Sequence, residues 1–223
     1  MKRIILLSGI CALCIQSILA QEKMFVHRSD KITQGVLLSV LDSMTFVNEA
    51  VLLHLHDQDA PTYSMTEIDS LSFGDNSLQI KILYSDTGIE IVNPLAFEGV
   101  SISVDDGNVI ITSTISEEVE YILTGTISNG MFKIYSDKKF ILTLNGVNIT
   151  NADGPAINIQ SGKKVTVNLT EGTINTLTDG KKYADSGSED MKGCFFSEGQ
   201  LIFKVLYMYR VIKSMAFAVM IIY

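Results

Sequence analysis

The chain of 223 residues carries 25 acidic and 17 basic side chains, a formal net charge of −8, and contains no tryptophan. Its length allows one or two domains, each with its own hydrophobic core. Nucleic-acid binding is excluded, because contact with phosphates requires a basic face and this chain is acidic.

The first 20 residues have the features of a secretory signal peptide. Lys2 and Arg3 precede an apolar run that ends at the small residue Ala20. The run is too short and too interrupted by polar residues for a membrane-spanning helix. We therefore expect cleavage near Ala20, a secreted or cell-surface protein, and no transmembrane span in the mature chain. Cys194 is then the one remaining cysteine, which excludes an intramolecular disulfide framework.

Residues 21–77 contain an internal repeat without gaps, in which equivalent residues are 27 positions apart. His27 recurs as His54, and Asp42 recurs as Asp69. Each copy is predicted to form a strand, a polar turn, a short helical turn ending near its aspartate, and a second strand, together making a small β-rich module. Histidines and aspartates in register could also suggest a metal site. We favour a structural origin, because a repeat reproduces its polar positions wherever the fold needs them.

From residue 78 to residue 204, short runs of alternating apolar and polar residues end at Gly or Asn-Gly turns. This alternation is typical of strands with one buried face. The segment 105–108, between two such runs, predicts a hairpin. The runs that begin at Ile141 and Val165 match loosely, 24 positions apart. A strand–turn–strand repeat of this length favours an all-β solenoid, a parallel β-helix, over the alternative antiparallel β-sandwich.

Four segments carry a resemblance to a known family, and they occur in the expected order: residues 130–137, 142–151, 154–161 and 190–203. Over roughly residues 100–204 the chain resembles the secreted carbohydrate-binding β-helix proteins of polysaccharide-degrading and gut bacteria. The resemblance implies a right-handed parallel β-helix that binds cellulose or pectin-type acidic glycans, with calcium ions on the helix. The 21–77 module resembles the tandem segments that precede such domains in gut-bacterial surface proteins.

A long polar insertion between Thr178 and Gly193 interrupts the predicted coils. Insertions on a solenoid collect on one face and often carry binding function. Clustered carboxylates suit calcium, although a solvated acidic loop is the ordinary alternative. The predicted metal ligands are Asp179, Asp185, Glu189 and Asp190. Without tryptophan, we expect a polar site that recognises hydroxyl or uronate groups, and its predicted ligand-binding residues are Asn151, Asp153, Asp179, Lys181, Tyr183 and Asp185.

The function that this sequence favours is non-catalytic polysaccharide binding, with assistance by calcium as an additional hypothesis. One alternative is a β-helix lyase or hydrolase, and another is a passive surface adhesin or scaffold. A hydrolase needs two facing carboxylates, and the acids of 179–190 leave that alternative open. A lyase would have to use lysine, because Arg28 is the only arginine between the signal segment and the C-terminal tail. No catalytic motif is found, and no catalytic residue is predicted.

Residues 205–223 break the pattern, since they contain no Gly, Asn, Asp or Pro. Arg210 and Lys213 leave too short an uncharged stretch for a membrane anchor. Codons for this tail can be chosen so that the same bases, read two positions later, encode further strand and turn sequence. We therefore expect a β-helix truncated at its C-terminus and followed by a frameshifted tail.

Overall fold

A computed structural model describes residues 22–59, 61–185 and 187–205. The predicted signal segment and nearly all of the predicted aberrant tail lie outside these ranges. The described chain is an all-β protein with three sheets, and its one helix is the 3-10 turn Met65–Glu67. None of its helical residues form a segment long and apolar enough to cross a membrane.

The strands of the N-terminal part are β1 (Lys23–Arg28), β2 (Ile32–Leu37), β3 (Leu41–Val47), β4 (Ala50–Leu55), β5 (Thr62–Ser64) and β6 (Ile68–Gly74). The strands that follow are β7 (Gln79–Tyr84), β8 (Glu90–Asn93), β9 (Val100–Asp105), β10 (Asn108–Ser113), β11 (Glu120–Ile127), β12 (Met131–Ser136), β13 (Phe140–Asn151), β14 (Ile157–Gln160), β15 (Val165–Leu169), β16 (Thr176–Asp179), β17 (Phe195–Ser197) and β18 (Leu201–Val205).

Strands of the first copy of the N-terminal repeat pair with strands of the second copy. Strand β1 of the first copy pairs with β6 of the second, and β3 of the first pairs with β4 of the second. The two repeated histidines also form hydrogen bonds between the copies. His27 Nε2 lies 2.7 Å from Ser72 Oγ, and His54 Nε2 lies 2.9 Å from Thr45 Oγ1. Each histidine therefore contacts a hydroxyl of the other copy, which gives the repeated histidines a role in joining the two copies.

The predicted helical turn is a 3-10 helix in one copy of the repeat and a single turn in the other. In the second copy the 3-10 helix ends directly before β6. Ser64 Oγ caps it by accepting from the N–H of Thr66 at 3.3 Å, and the N–H of Ser64 donates to the Glu67 carboxylate at 3.1 Å. In the first copy the equivalent residues 38–40 form a turn, in which the N–H of Val40 donates to the carbonyl oxygen of Leu37 at 3.2 Å.

A buried lysine joins the module to the segment that follows it. Lys23 is fully buried; its Nζ donates to the carbonyl oxygen of Pro94 at 2.5 Å and forms an ion pair with Glu98. The backbones also approach closely, because a Cβ on Gly35 would lie 2.7 Å from the Cα of Pro94. The module has its own hydrophobic cluster, separate from the larger one beneath β7 to β15. The domain boundary near residue 77 stays a prediction.

Successive strands of the C-terminal part pair in parallel. The first ladder runs through β7, β11, β13, β15 and β18, and the second runs through β10, β12, β14 and β17. The second half of β13 also pairs in parallel with β16. The predicted hairpin at 105–108 is confirmed, because β9 and β10 pair antiparallel on either side of it. The right-handed β-helix stays a prediction.

The repeat length predicted from the sequence is wrong by one residue. Phe140 pairs with Val165, 25 positions further along, whereas the sequence match aligned Ile141 with Val165. Burial explains the register, since Phe140 and Val165 both face the core and Ile141 faces the other side of the sheet. A slip of one residue would turn every inward side chain outward.

Candidate functional site

The outer face of the second ladder carries four polar side chains in a block. On β12, Lys133 and Tyr135 alternate with buried apolar residues and point away from the core. On the neighbouring strand β14, Asn158 lies beside Lys133 and Gln160 lies beside Tyr135. Each of the four can donate a hydrogen bond. We call these four residues the donor array.

The polar insertion lies between β16 and β17 in the chain and is next to the donor array. Ile157 of β14 pairs with Phe195 of β17, 38 positions further along, whereas Phe132 of β12 pairs with Ile157 only 25 positions further along. The insertion accounts for the additional residues. Its backbone is held at two places. The N–H of Ala184 donates to the carbonyl oxygen of Asp153 at 2.7 Å, and Gln160 Nε2 donates to the carbonyl oxygen of Asp190 at 3.0 Å. The insertion therefore folds back onto the ladder rather than extending from it.

Glu189, near the end of the insertion, is bound by the donor array. Lys133 Nζ and Tyr135 OH both donate to its carboxylate, and Lys133 Nζ lies 5.1 Å from the centroid of the Tyr135 ring. Burial disfavours the charge on Lys133, but its hydrogen bonds to Glu189 and Tyr135 prevail and raise its pKa. Burial likewise opposes the charge on Glu189, and the same two donors lower its pKa overall. The pair is therefore held in its ionised form.

A groove of about 510 Å³ opens beside the donor array. Its lining residues come from the start of β10 and β12, the turn after β13, and the insertion: Asp106, Asn108, Asn129, Met131, Lys133, Asn151, Asp153, Gly154, Pro155, Ala184, Asp185, Glu189 and Met191. Four residues predicted from the sequence thus meet here, namely Asn151, Asp153, Asp185 and Glu189.

The four predicted residues in the groove have different roles. Asn151 is buried and shapes the turn, because its Nδ2 donates to the carbonyl oxygen of Pro155 at 2.8 Å and its Oδ1 accepts from the N–H of Asp153 at 3.1 Å. The side chains of Asp153 and Asp185 are exposed on the groove. Asp185 Oδ1 also accepts from the N–H of Gly187 at 2.9 Å. The two aspartates are thus the carboxylates best placed to meet a ligand.

The other predicted residues lie outside the groove lining. Tyr183 OH donates to Asp179, and burial together with this hydrogen bond raises the pKa of Tyr183. Asp190 forms an ion pair of 2.5 Å with Lys192, and Lys181 is exposed. Among the residues that the structure describes, no three His, Cys, Asp or Glu side chains are grouped to hold a metal ion. The predicted calcium site stays a prediction.

Sequence reasoning missed Lys133 and Asn158. A signal for Lys133 existed, since it occupies a polar position between two buried residues of a strand. Its partner Glu189 is 56 positions away, however, and no local pattern joins them. Asn158 also occupies a polar position between two buried residues of its strand, but this alternation does not predict that Asn158 is itself buried.

Residues 105–205 match a family model described as "Carbohydrate-binding domain-containing protein". A curated protein of the same description, from Acetivibrio thermocellus, is 35% identical over 88 residues, which cover 38% of this chain and 31% of the relative. The solved "polysaccharide lyase-like protein from C. thermocellum, Gadolinium derivative" is 27% identical, with a TM-score of 0.47, over 57% of this chain and 49% of that one. The chain thus spans about a third of the curated relative and about half of the solved structure.

The family match covers the part of the chain that carries the site. The matched region 105–205 contains the donor array, the insertion and every residue that lines the groove.

Proposed function

We propose that this protein binds polysaccharide without cleaving it, in the groove between the donor array and the insertion. The observation that carries the proposal is that the groove lies wholly within the region that matches the carbohydrate-binding family model. The family match covers residues 105–205, and the residues that line the groove run from Asp106 to Met191.

The chemistry of the groove suits sugar hydroxyls. Asp153 and Asp185 offer carboxylate oxygens that accept hydrogen bonds, and Asn129 and Lys133 offer donors. A hydroxyl both donates and accepts, so a mixed lining can satisfy it on both sides. The groove volume also falls within the range of about 300–1,000 Å³ that is typical of small-ligand sites. A short stretch of a polysaccharide chain is therefore a suitable occupant.

Three finer proposals accompany this function. The parallel ladders are the coils of a right-handed parallel β-helix, and the mature protein acts outside the cell or at its surface. Calcium assistance stays a prediction, and the described residues do not supply three grouped acidic ligands for it. Calcium takes six to eight oxygen ligands, so glycan oxygens would have to complete its coordination.

Titration calorimetry on the full chain tests the proposal. The ligands are a uronate oligosaccharide, such as oligogalacturonate, and a cello-oligosaccharide of equal length, each with and without a chelator. The variant Asp153→Ala should weaken binding by about tenfold to a hundredfold, since a hydrogen bond to a charged group contributes about 1.5–3 kcal/mol. Glu171→Ala, on an exposed turn after β15, is the control and should bind like the parent chain.

Two results would overturn the proposal. A folded chain that binds neither glycan would exclude the binding function. Release of reducing or unsaturated ends from either glycan would exclude the non-catalytic part. Loss of binding on addition of the chelator supports calcium assistance, and unchanged binding rejects it.

A further inference from the structure

We propose that the donor array is a carboxylate-binding subsite and that Glu189 is its internal occupant, which the carboxylate of an acidic glycan displaces. The inference rests on the proposed function and deepens it, since it names uronate-bearing chains as the favoured class of ligand. It also gives the insertion a regulatory role, because the insertion then competes with the ligand for the same donors.

The way in which Glu189 is held carries the first step. A lysine ammonium and a tyrosine hydroxyl both donate to one carboxylate, and both belong to the rigid strand β12. The carboxylate comes from the insertion, which the chain supplies from 56 positions away. The two donors thus belong to a strand of the ladder, whereas the carboxylate that they bind belongs to a loop.

Asn158 carries the second, independent step. Its side chain is 0% exposed, and its Nδ2 is one of three buried side-chain polar atoms without a hydrogen-bond partner in the described chain. Its Oδ1 accepts from Gln160 Nε2 at 2.7 Å, so the amide is oriented with Nδ2 free to donate. A buried donor left without an acceptor destabilises the fold, and native proteins keep few of them. Asn158 lies beside Lys133 in the ladder, and the Glu189 carboxylate leaves this amide unpaired. A ligand carboxylate seated closer to β14 can pair with Lys133 and also accept from Asn158.

The exchange of one carboxylate for another explains why displacement is feasible. The side chain of Lys133 is only 14% exposed, so removing Glu189 with nothing in its place would leave a largely buried charge unpaired. A uronate carboxylate restores the pair and adds an acceptor for Asn158. A neutral sugar cannot do this. The subsite therefore selects for acidic glycans, and a glycan carboxylate must bind Lys133 more favourably than Glu189 does in order to displace it.

Removing the internal competitor tests the inference. The full chain, Glu189→Ala and Glu189→Gln are titrated with oligogalacturonate and with a cello-oligosaccharide of the same length. If Glu189 fills the subsite most of the time, its removal should raise affinity for the acidic ligand by several-fold to about tenfold, in inverse proportion to the fraction of subsites that are open in the parent chain. Affinity for the neutral ligand should change by less than about twofold. Glu171→Gln removes one negative charge far from the array and controls for general electrostatics.

A variant of the array itself provides the reverse test. Lys133→Met keeps the length of the side chain and removes its charge, so it should abolish the preference for the acidic ligand. Far-ultraviolet circular dichroism and thermal unfolding of each variant establish that it is folded.

Each outcome of the titrations decides one of the two proposals. Tighter acidic binding by both Glu189 variants, with Glu171→Gln unchanged, supports the internal competitor. An equal gain in affinity for the acidic ligand in Glu189→Ala, Glu189→Gln and Glu171→Gln would show an effect of net charge alone. Weaker acidic binding by the two Glu189 variants would show that Glu189 stabilises the groove. Either result overturns the inference while the proposed function stands. Binding of neither glycan by any folded variant overturns both.

Discussion

Lys133 and Glu189 form an ion pair on the outer face of the second ladder, although 56 positions of the chain separate them. This contact fixes the end of the insertion against strand β12. It also sets one wall of the groove, since both residues line it. The geometry of the groove therefore depends on how the insertion packs against the ladder, and substitutions in the insertion can test this dependence.

The start of the insertion should be sensitive to one added methyl group. A Cβ on Gly180 would lie 1.6 Å from the carbonyl oxygen of Ala152, so Gly180→Ala must push the two backbones apart. We expect a loss of stability of about 1–3 kcal/mol and at least several-fold weaker glycan binding, measured by chemical denaturation and calorimetry.

Gly187→Ala is the matched control for that variant. Gly187 has a positive φ of 68° but nothing within 4 Å of an added Cβ. Its substitution should cost about 1 kcal/mol through backbone strain alone and change affinity little. Equal effects of the two substitutions on binding would contradict the docked arrangement.

The buried lysine that joins the N-terminal module to the rest of the chain should be important for stability. Lys23→Met removes a fully buried charge and leaves Glu98 and the carbonyl oxygen of Pro94 without their donor. We expect the free energy of unfolding to fall by about 2–4 kcal/mol. Equilibrium denaturation in urea measures this change.

A second lysine offers the comparison. Lys31 lies 3.7 Å from Glu90, and both side chains are about half exposed. Lys31→Met should cost less than about 1 kcal/mol, because exposed ion pairs contribute little. A similar loss for both lysines would show that burial of Lys23 is not the cause.

Asp86 should make stability depend on pH. Its Oδ1 accepts from the N–H of Ser128 at 2.7 Å and from the Ser128 hydroxyl at 2.9 Å, and these two bonds lower its pKa. A carboxyl with a lowered folded-state pKa stabilises the fold above its ordinary pKa, and this stabilisation disappears as pH falls through the lowered value. The difference in unfolding free energy between the parent chain and Asp86→Ala should therefore be constant near neutral pH and shrink in acid. A difference that does not vary with pH would contradict this assignment.

The strands could be predicted from the sequence because local alternation determines which side chains are buried. The run around Lys133 shows this pattern directly, with buried residues on either side of each polar one. The hairpin at 105–108 was predictable for a similar reason, since a polar turn with Asp106 and Gly107 at positive φ suits the reversal of the chain.

The register and the site could not be predicted in the same way. Phe140 and Ile141 are both apolar, and only the core decides that Phe140 is the partner of Val165. The insertion is predicted to be the binding element, and three of the residues predicted for the site, Asp153, Asp185 and Glu189, line the groove. Asp179 and Asp190 instead pair with the nearby residues Tyr183 and Lys192. The groove itself depends on how the insertion docks on the ladder, and such docking leaves no local pattern in the sequence.

Hydrogen–deuterium exchange with and without oligogalacturonate tests the central claim most directly, since it locates the bound glycan on the chain. The account predicts slower exchange in residues 129–133 and in the turn at 151–155, with no change in the N-terminal module at 22–74. Protection confined to that module, or glycan binding without any change at the groove, would contradict it.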